Sequence, residues 1–327
     1  MNPIACNIAL YPHHIKTLLN ARGNGLEKAG VHVGDIFFKD VTPRAAFNSV
    51  FAYMFGGLLR QVACKLRPYE EIPGEVDRVL ELALEILCES FSGRMKKGAA
   101  LAAVTERFQN IKVHPEQRPK VAIFGDLYSR DNRVMNQDLI RFIERHGGEV
   151  VTTPYTEYAR MIATPYFRKW FHERKFRVLI TNRTLMAGIT HMERSFYRFF
   201  EPILGRPMAS FDDPPEEILA RFGVRMEHTG ESLDNLIKIH YIKKHYPDIS
   251  LFVQASPAFC CPSLVTEAMA GKIEQVTGVP VVPITYDGTG GTKNDAIIPY
   301  LEFLRTKRPE GQGVEERLKV EGLKIIN

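Results

Sequence analysis

The sequence predicts an α/β protein, with a doubly wound, mostly parallel sheet in a carboxyl-terminal lobe and a mainly helical amino-terminal lobe. Two patterns predict this class. After residue 118, short apolar runs alternate with helical segments, whereas before it apolar residues recur mainly at helical spacing. A chain of 327 residues is also long enough for two lobes. We therefore expect a helical lobe at 1–117 and a Rossmann-like lobe at 118–327, with a helical insert at about 155–249.

The amino-terminal lobe is expected to contain two long helices. Residues 44–65 carry apolar and small side chains at helical spacing, and residues 74–91 carry apolar side chains on one face and acids on the other. A short strand-like run at 31–38 interrupts this helical pattern. The segment 109–120, with two prolines and several charged residues, is typical of a linker between lobes.

Two β–α–β units predict the sheet of the second lobe. Each unit has two apolar runs that flank a helical segment, and right-handed crossovers make such strands parallel. One further strand-like run falls in the helical insert. The predicted strands are 121–125, 149–153, 177–181, 250–254 and 279–284, and the predicted helices are 136–145, 264–276 and 295–305.

Composition favours a cytoplasmic protein. The chain has 43 Lys and Arg against 38 Asp and Glu, and the small excess is scattered, which does not favour binding to nucleic acid or to a membrane surface. No segment approaches the ~20 apolar residues of a membrane span, and a signal-peptide pattern is missing at the amino terminus. The five cysteines, at positions 6, 64, 88, 260 and 261, do not fit a secreted disulfide framework. Cys64 and Cys88 fall on helical faces and are expected in the core.

Chemistry is expected at the carboxyl ends of the strands. In an open parallel sheet, ligands bind there because the loops diverge and helix amino termini point inward. Three polar or glycine-rich loops follow predicted strands, at 125–132, 255–262 and 286–292. All three are therefore expected to face one crevice.

The second of these loops contains two adjacent thiols. Cys260 and Cys261 precede Pro262, which is favourable in the first turn of a helix. The positive end of a helix dipole lowers the pKa of a thiol, so Cys260 is predicted to favour the thiolate, the species that binds iron. The alternative is a pair of small buried side chains in a turn.

The other two loops offer candidates for cofactor binding. Asp126, Tyr128 and Asn136 follow the first strand, where Arg130 is a candidate partner for an anionic ligand and Asn136 also a candidate helix cap. A solvated loop is the alternative for these four residues.

Asp287, Gly288 and Gly290 follow the last strand, where backbone N–H groups can surround an anion. A tight turn is the alternative, because the Gly-Lys-Ser/Thr ending of a phosphate-binding P-loop is lacking.

At and around these loops the chain contains a series of distinctive motifs. They are Lys65-Leu-Arg-Pro-Tyr-Glu70, Lys120-Val-Ala-Ile-Phe-Gly-Asp-Leu-Tyr-Ser-Arg130 with Asn136, Arg145-His-Gly-Gly-Glu-Val150, Phe259-Cys-Cys-Pro-Ser-Leu-Val265 and Val279-Pro-Val-Val-Pro-Ile-Thr-Tyr-Asp287. In the order and spacing of these motifs the sequence resembles the 2-hydroxyacyl-CoA dehydratases and their activase-related relatives, and the resemblance covers nearly the whole chain.

This resemblance implies an oxygen-sensitive [4Fe-4S] cluster held by three cysteines from separate loops. The last ligand carries over onto Cys260, with Cys261 as a possible substitute. The middle ligand carries over onto Cys6, which keeps the spacing to Tyr11 but lacks the family's preceding Gly-Pro. The first ligand is expected upstream of Cys6, so the chain matches the carboxyl-terminal portion of the family. No catalytic residue is assigned.

The resemblance further implies a role in ATP-driven, low-potential electron transfer to an acyl-CoA, or in its dehydration. The implied partner is an ATP-dependent activase module or chain, because paired phosphate-binding motifs are missing here. An acyl-CoA is the implied substrate, within a hetero- or homo-oligomer. Two alternatives stay open: a non-catalytic scaffold that has lost its cluster, and a thiol-redox or small-ligand binding protein.

Overall fold

The computed structural model describes residues 11–31, 42–114, 116–227 and 230–306. The chain divides into two compact units, Met1–Val50 and Phe51–Asn327, and each is described by itself. Cys6 lies outside the described residues, as does the strand-like run at 31–38 except for its first residue. The division into lobes at residue 117 stays a prediction.

The first unit contains a helix that is tied to a following turn. Helix α1 (Tyr11–Arg22) is followed by a short 3-10 turn at Leu26–Lys28. The ammonium of Lys16 donates to the carbonyl oxygens of Glu27 (2.7 Å) and Ala29 (2.8 Å). These two hydrogen bonds hold the turn against the helix.

Helices make up most of the second unit. Some of them surround the sheet and others form a core of their own. They are α2 (Pro43–Leu66, whose first residues belong to the first unit), α3 (Glu75–Phe91), α4 (Lys97–Gln109), α5 (Leu127–Asp131), α6 (Leu139–Arg145), α7 (Tyr155–His172), α8 (Phe176–Leu204), α9 (Pro215–Arg221), α10 (Glu231–His245), α11 (Cys261–Ala268), α12 (Ala270–Thr277) and α13 (Ile298–Thr306), with 3-10 turns at Arg67–Tyr69 and Lys293–Ile297.

Helices α2, α3, α4 and α8 share one hydrophobic core. Phe55 of α2 is fully buried and meets Phe196 of α8 edge to face, with ring centroids 5.3 Å apart. Such aromatic pairs add to the free energy gained by burying their area. The helices predicted at 44–65 and 74–91 are confirmed as α2 and α3.

Four parallel strands form a sheet in the part of the chain that the structure describes, which confirms the α/β class. Its order is β2-β1-β3-β4, so β1 and β3 are central neighbours. The strands are β1 (Lys120–Gly125), β2 (Glu149–Val151), β3 (Ile249–Pro257) and β4 (Val281–Tyr286), each close to a predicted strand.

The prediction of a strand at 177–181 is wrong, because these residues lie in the first turns of helix α8. The run is rich in β-branched residues, but strand propensity depends on packing partners. An apolar run of this length does not distinguish a strand from a piece of helix. The pattern continues for 29 residues as one helix whose buried face joins the aromatic core.

Successive side chains of the strands enter two different cores, as the period of a strand requires. Phe124 and Phe252 lie in one core, with ring centroids 6.1 Å apart, together with side chains of α9, α10 and α12. Ile123 and Val253 lie in the other core, with side chains of α6 and α13. Burial on both faces explains why the strands are continuous apolar runs.

Among the residues 11–31, 42–114, 116–227 and 230–306, the helices are all too short or too polar to cross a membrane.

Candidate functional site

The loops after β1, β3 and β4 lie together at the carboxyl edge of the sheet. Gly125 pairs with Ala255, and the backbone N–H of Asp126 donates to the Ala255 carbonyl (3.0 Å). On the other side, the N–H of Ala258 donates to the carbonyl of Tyr286 (3.0 Å). Parallel pairing therefore brings the three predicted loops to one edge, where ligands bind in sheets of this kind.

Cys260 caps the amino terminus of α11 at this edge. Its thiol is half-buried, and the hydroxyl of Ser263 donates to Sγ (3.2 Å). Gln254 of β3 donates to the Ser263 carbonyl (2.9 Å), which fixes the first turn of α11 against the strand. The thiol is therefore placed by the end of β3, the turn that follows it and the first turn of α11.

The prediction of a lowered thiol pKa at Cys260 is wrong. Burial raises the pKa of this thiol, and the nearby carboxylates of Glu231 and Asp126 add to the rise, while the Ser263 hydrogen bond opposes it. The thiol loses solvation at the edge of the sheet, and α11 has only eight residues. Without a ligand, Cys260 is therefore held as a thiol.

The other cysteines have different surroundings. Cys261 begins α11 and is exposed, with its thiol 4.0 Å from the Phe259 carbonyl oxygen. Cys64 is buried, as predicted, and burial raises its pKa to about 12. Cys88 is exposed on α3, so its predicted place in the core is wrong. Cys6 lies outside the described residues.

The loop after β1 is organised by two side chains. Asp126 accepts the N–H of Ser129 (2.7 Å) and so caps α5. Asn136 is buried; its Oδ1 accepts the N–H of Leu139 (3.1 Å) at the start of α6, and its Nδ2 donates to the carbonyls of Ser129 (2.9 Å) and Arg130 (3.0 Å). Asn136 is thus a cap, as predicted, and all its polar atoms serve the fold.

Of the remaining residues predicted in that loop, Tyr128 projects outward and Arg130 inward. Tyr128 is 65 % exposed, whereas Arg130 is 2 % exposed. Cofactor binding by Tyr128 stays a prediction.

The loop after β4 forms a hydrogen-bonded turn. The carboxylate of Asp287 accepts the N–H (3.0 Å) and hydroxyl (2.7 Å) of Thr289 and pairs with Lys293 (3.1 Å). These hydrogen bonds, that of the Thr289 hydroxyl first, lower the pKa of Asp287 to about 2. Gly288 has φ of 75° and Gly290 is exposed. A tight turn, the alternative considered for this loop, accounts for the hydrogen bonds of Asp287 and for the backbone conformation of Gly288. Anion binding by the loop stays a prediction.

Two amides join this loop to the loop after β1. Asn294 is buried and donates to the carbonyls of Asn136 and Gln137, both at 3.0 Å, while it accepts the hydroxyl of Tyr286 (2.8 Å). Gln137 accepts the N–H of Lys293 (2.8 Å). The edge of the sheet is therefore held in one geometry from β1 to β4.

A group of buried charges lies behind the loop after β1, and sequence reasoning missed most of it. Lys238 of α10 is 0 % exposed. The signal was present, because Lys238 stands between Ile237 and Ile239 in a helix that is buried along most of its length. A lysine in such a stripe is almost never fully buried unless it has a partner.

Arg130 and Lys238 each face a tyrosine ring of α7. The guanidinium carbon of Arg130 is 5.5 Å from the ring centre of Tyr155, and Nζ of Lys238 is 5.0 Å from that of Tyr158. Arg130 also lies 3.5 Å from the carboxylate of Asp131. Burial and then the charge of Arg130 lower the pKa of Lys238 well below its ordinary value.

Asp234 is the buried acid of this group. It accepts the hydroxyls of Tyr158 (2.9 Å) and Tyr166 (3.4 Å), while burial raises its pKa from 3.8 to about 6. The folded protein therefore holds the proton more tightly than the unfolded chain. Stability that Asp234 contributes at low pH is lost as the pH rises from about 4 through about 6.

We expect Asp234→Asn to gain stability relative to the wild type as the pH rises. The amide stays uncharged and still accepts both hydroxyls. Between pH 4 and pH 7 the difference in free energy of unfolding should grow by about 1–3 kcal/mol, measured by urea denaturation. Asp287→Asn serves as a control, because the lowered pKa of that exposed acid predicts a small change of opposite sign. If the difference in free energy of unfolding between Asp234→Asn and the wild type does not depend on pH, the raised pKa of Asp234 is contradicted.

Comparison of the chain with protein-family models, with curated proteins and with solved structures finds no match.

Proposed function

We propose that this chain is a cytoplasmic iron–sulfur protein related to the 2-hydroxyacyl-CoA dehydratases and their activase-related relatives, with Cys260 as one cluster ligand. The observation that supports the proposal is the place of Cys260. Its half-buried thiol stands at the carboxyl end of a central strand, beside the loops that follow β1 and β4. We also propose the finer fold, a doubly wound sheet with a helical lobe at its amino-terminal side.

The donor set of the described residues is incomplete for a [4Fe-4S] cluster. Within 11–31, 42–114, 116–227 and 230–306, groups of three Cys, His, Asp or Glu that could hold a metal are absent. Cys260 would supply one ligand, with Cys261 adjacent to it. The remaining ligands would come from Cys6 and from a second chain or segment. The raised pKa of free Cys260 does not oppose this role, because a coordinating metal deprotonates a thiol.

The proposed cluster would supply a low-potential electron, either for transfer to an acyl-CoA or for its dehydration. The protein residues would shield it. Ser263 hydrogen bonds to the sulfur of Cys260, and hydrogen bonds to cluster sulfurs tune the reduction potential. An ATP-dependent activase is the proposed electron donor, in a hetero-oligomer with this chain.

Anaerobic reconstitution of the full chain with ferrous iron and sulfide tests this proposal. A brown protein is expected, with about four irons per cluster by chemical analysis. Cys88→Ser should give the same iron content, since Cys88 is exposed on α3 and is not one of the proposed ligands. A colourless protein, reconstituted alone and with its activase partner, would overturn the proposal. Stable association with the activase in that iron-free state would identify the chain as a scaffold instead.

A further inference from the structure

Two buried cations have no role in the iron–sulfur proposal. We propose that Arg130 and Lys238 form a binding site for the oxyanion of a carboxylate or phosphate group. The site lies between α5, α7 and α10, behind the carboxyl end of β1. The inference is independent of the cluster, because it uses only the surroundings of these two side chains.

The side chains of the two cations end in unused hydrogen-bond donors. All three nitrogens of the Arg130 guanidinium are buried without a hydrogen-bond partner among the described residues. The ammonium of Lys238 is likewise buried and lacks a hydrogen-bond acceptor in the part of the chain described. A buried charge without hydrogen bonds is costly, and buried polar groups of native proteins nearly always have partners. A bound anion would provide them.

Three carboxylates, those of Asp131, Asp234 and Glu231, lie near enough to Lys238 to influence its charge. Asp131 pairs with Arg60 (2.5 Å) and is shared with Arg130 (3.5 Å). Asp234 accepts the hydroxyls of two tyrosines through Oδ2, while its Oδ1 is buried without a hydrogen-bond donor among the described residues. Glu231 stands near Asp126, and burial together with that like charge raises its pKa. None of these described acids hydrogen bonds to Lys238.

The chemistry of the two side chains favours a small anionic group as the ligand. Tyr155 and Tyr158 cover the cations from one side through their ring faces. A cleft of about 480 Å³ reaches Arg130 but not Lys238, and its lining includes Arg60 and Arg133 together with the acids Asp131 and Asp138. The planar fork of an arginine matches two oxygens of a carboxylate or phosphate, and a lysine adds a point charge.

Thermal unfolding of the full chain with inorganic phosphate or acetate tests the site, with ionic strength held constant by NaCl. A ligand that binds only the folded state raises the melting temperature in a saturable way. We expect a rise of at least about 2 °C. A response to phosphate alone would assign phosphate, and a response to acetate alone would assign carboxylate. The absence of a saturable response to either anion would overturn the proposal.

Variants locate the response. Lys238→Met should abolish the anion-dependent rise. Without anion, this variant should melt at or above the wild-type temperature, because a buried amino group without a hydrogen-bond acceptor is removed. Arg94→Met, which removes an exposed cation paired with Glu89, should keep the full rise. If Lys238→Met does not fold, Arg130→Lys keeps the charge but loses the fork, and phosphate affinity should fall about tenfold. If the tested site variant responds to the effective anion as the wild type does, the proposal is overturned.

Discussion

Replacing Cys260 by serine should lower the iron content of the reconstituted protein to a small fraction of the wild-type value. The thiol is the ligand atom in the proposed cluster, and a serine oxygen is a harder and poorer ligand for iron–sulfur sites. The substitution is nearly isosteric in a half-buried position at the start of α11. Iron and sulfide analysis after anaerobic reconstitution measures the effect.

Two matched variants make the result specific. Cys88→Ser removes an exposed thiol from α3 and should keep the iron content. Cys261→Ser removes the neighbouring exposed thiol and shows whether that residue contributes a ligand. Equal iron in Cys260→Ser and in Cys88→Ser would contradict the assignment of Cys260. Circular dichroism of each variant verifies that the fold is intact.

Gly125→Ala should destabilise the protein by about 3 kcal/mol or more. Gly125 ends β1 with φ of 109°, and a Cβ there would lie 2.5 Å from the carbonyl oxygen of Ala255. That oxygen accepts the N–H of Asp126 and belongs to the central strand β3. The backbone can relieve the clash only by separating the two strands at the edge where the site lies. Urea unfolding measures the loss.

Gly288→Ala is the control for backbone strain without a clash. Gly288 has φ of 75°, but among the described atoms nothing lies within 4 Å of a Cβ placed there. The cost should be about 1 kcal/mol, the strain of a non-glycine residue in this region. Equal losses of stability in the two variants would show that the clash with the Ala255 carbonyl oxygen does not determine the cost of Gly125→Ala.

The sheet could be predicted because its physical signals are local. Strands buried on both faces are continuous apolar runs, and Gly125 marks the end of the first because no other residue fits there. Residues 177–181 carry the same signal within a helix. Residues 177–181 are themselves largely exposed, and it is the later part of the same helix, residues 192–204, that packs in the aromatic core with partners distant in sequence.

The site could be predicted in its position but not in its electrostatics. Parallel pairing brought the loops of Asp126, Cys260 and Asp287 to one edge, as expected from the strand order. The pKa of Cys260 depends on its burial and on Glu231, a residue of the helical insert. The apolar neighbours of Lys238 in α10 are a local signal of its burial, but the approach of Arg130 and Tyr158 results from packing between elements that are far apart in sequence.

Native mass spectrometry of the anaerobically reconstituted wild-type chain, alone and with its activase partner, tests whether the chain holds a cluster. We expect a species heavier than the bare chain or complex by the mass of four irons and four sulfides. The same measurement on Cys260→Ser should give mainly the bare mass. Only bare mass for the wild type, in isolation and in the complex, would contradict the claim that this chain holds a cluster through Cys260.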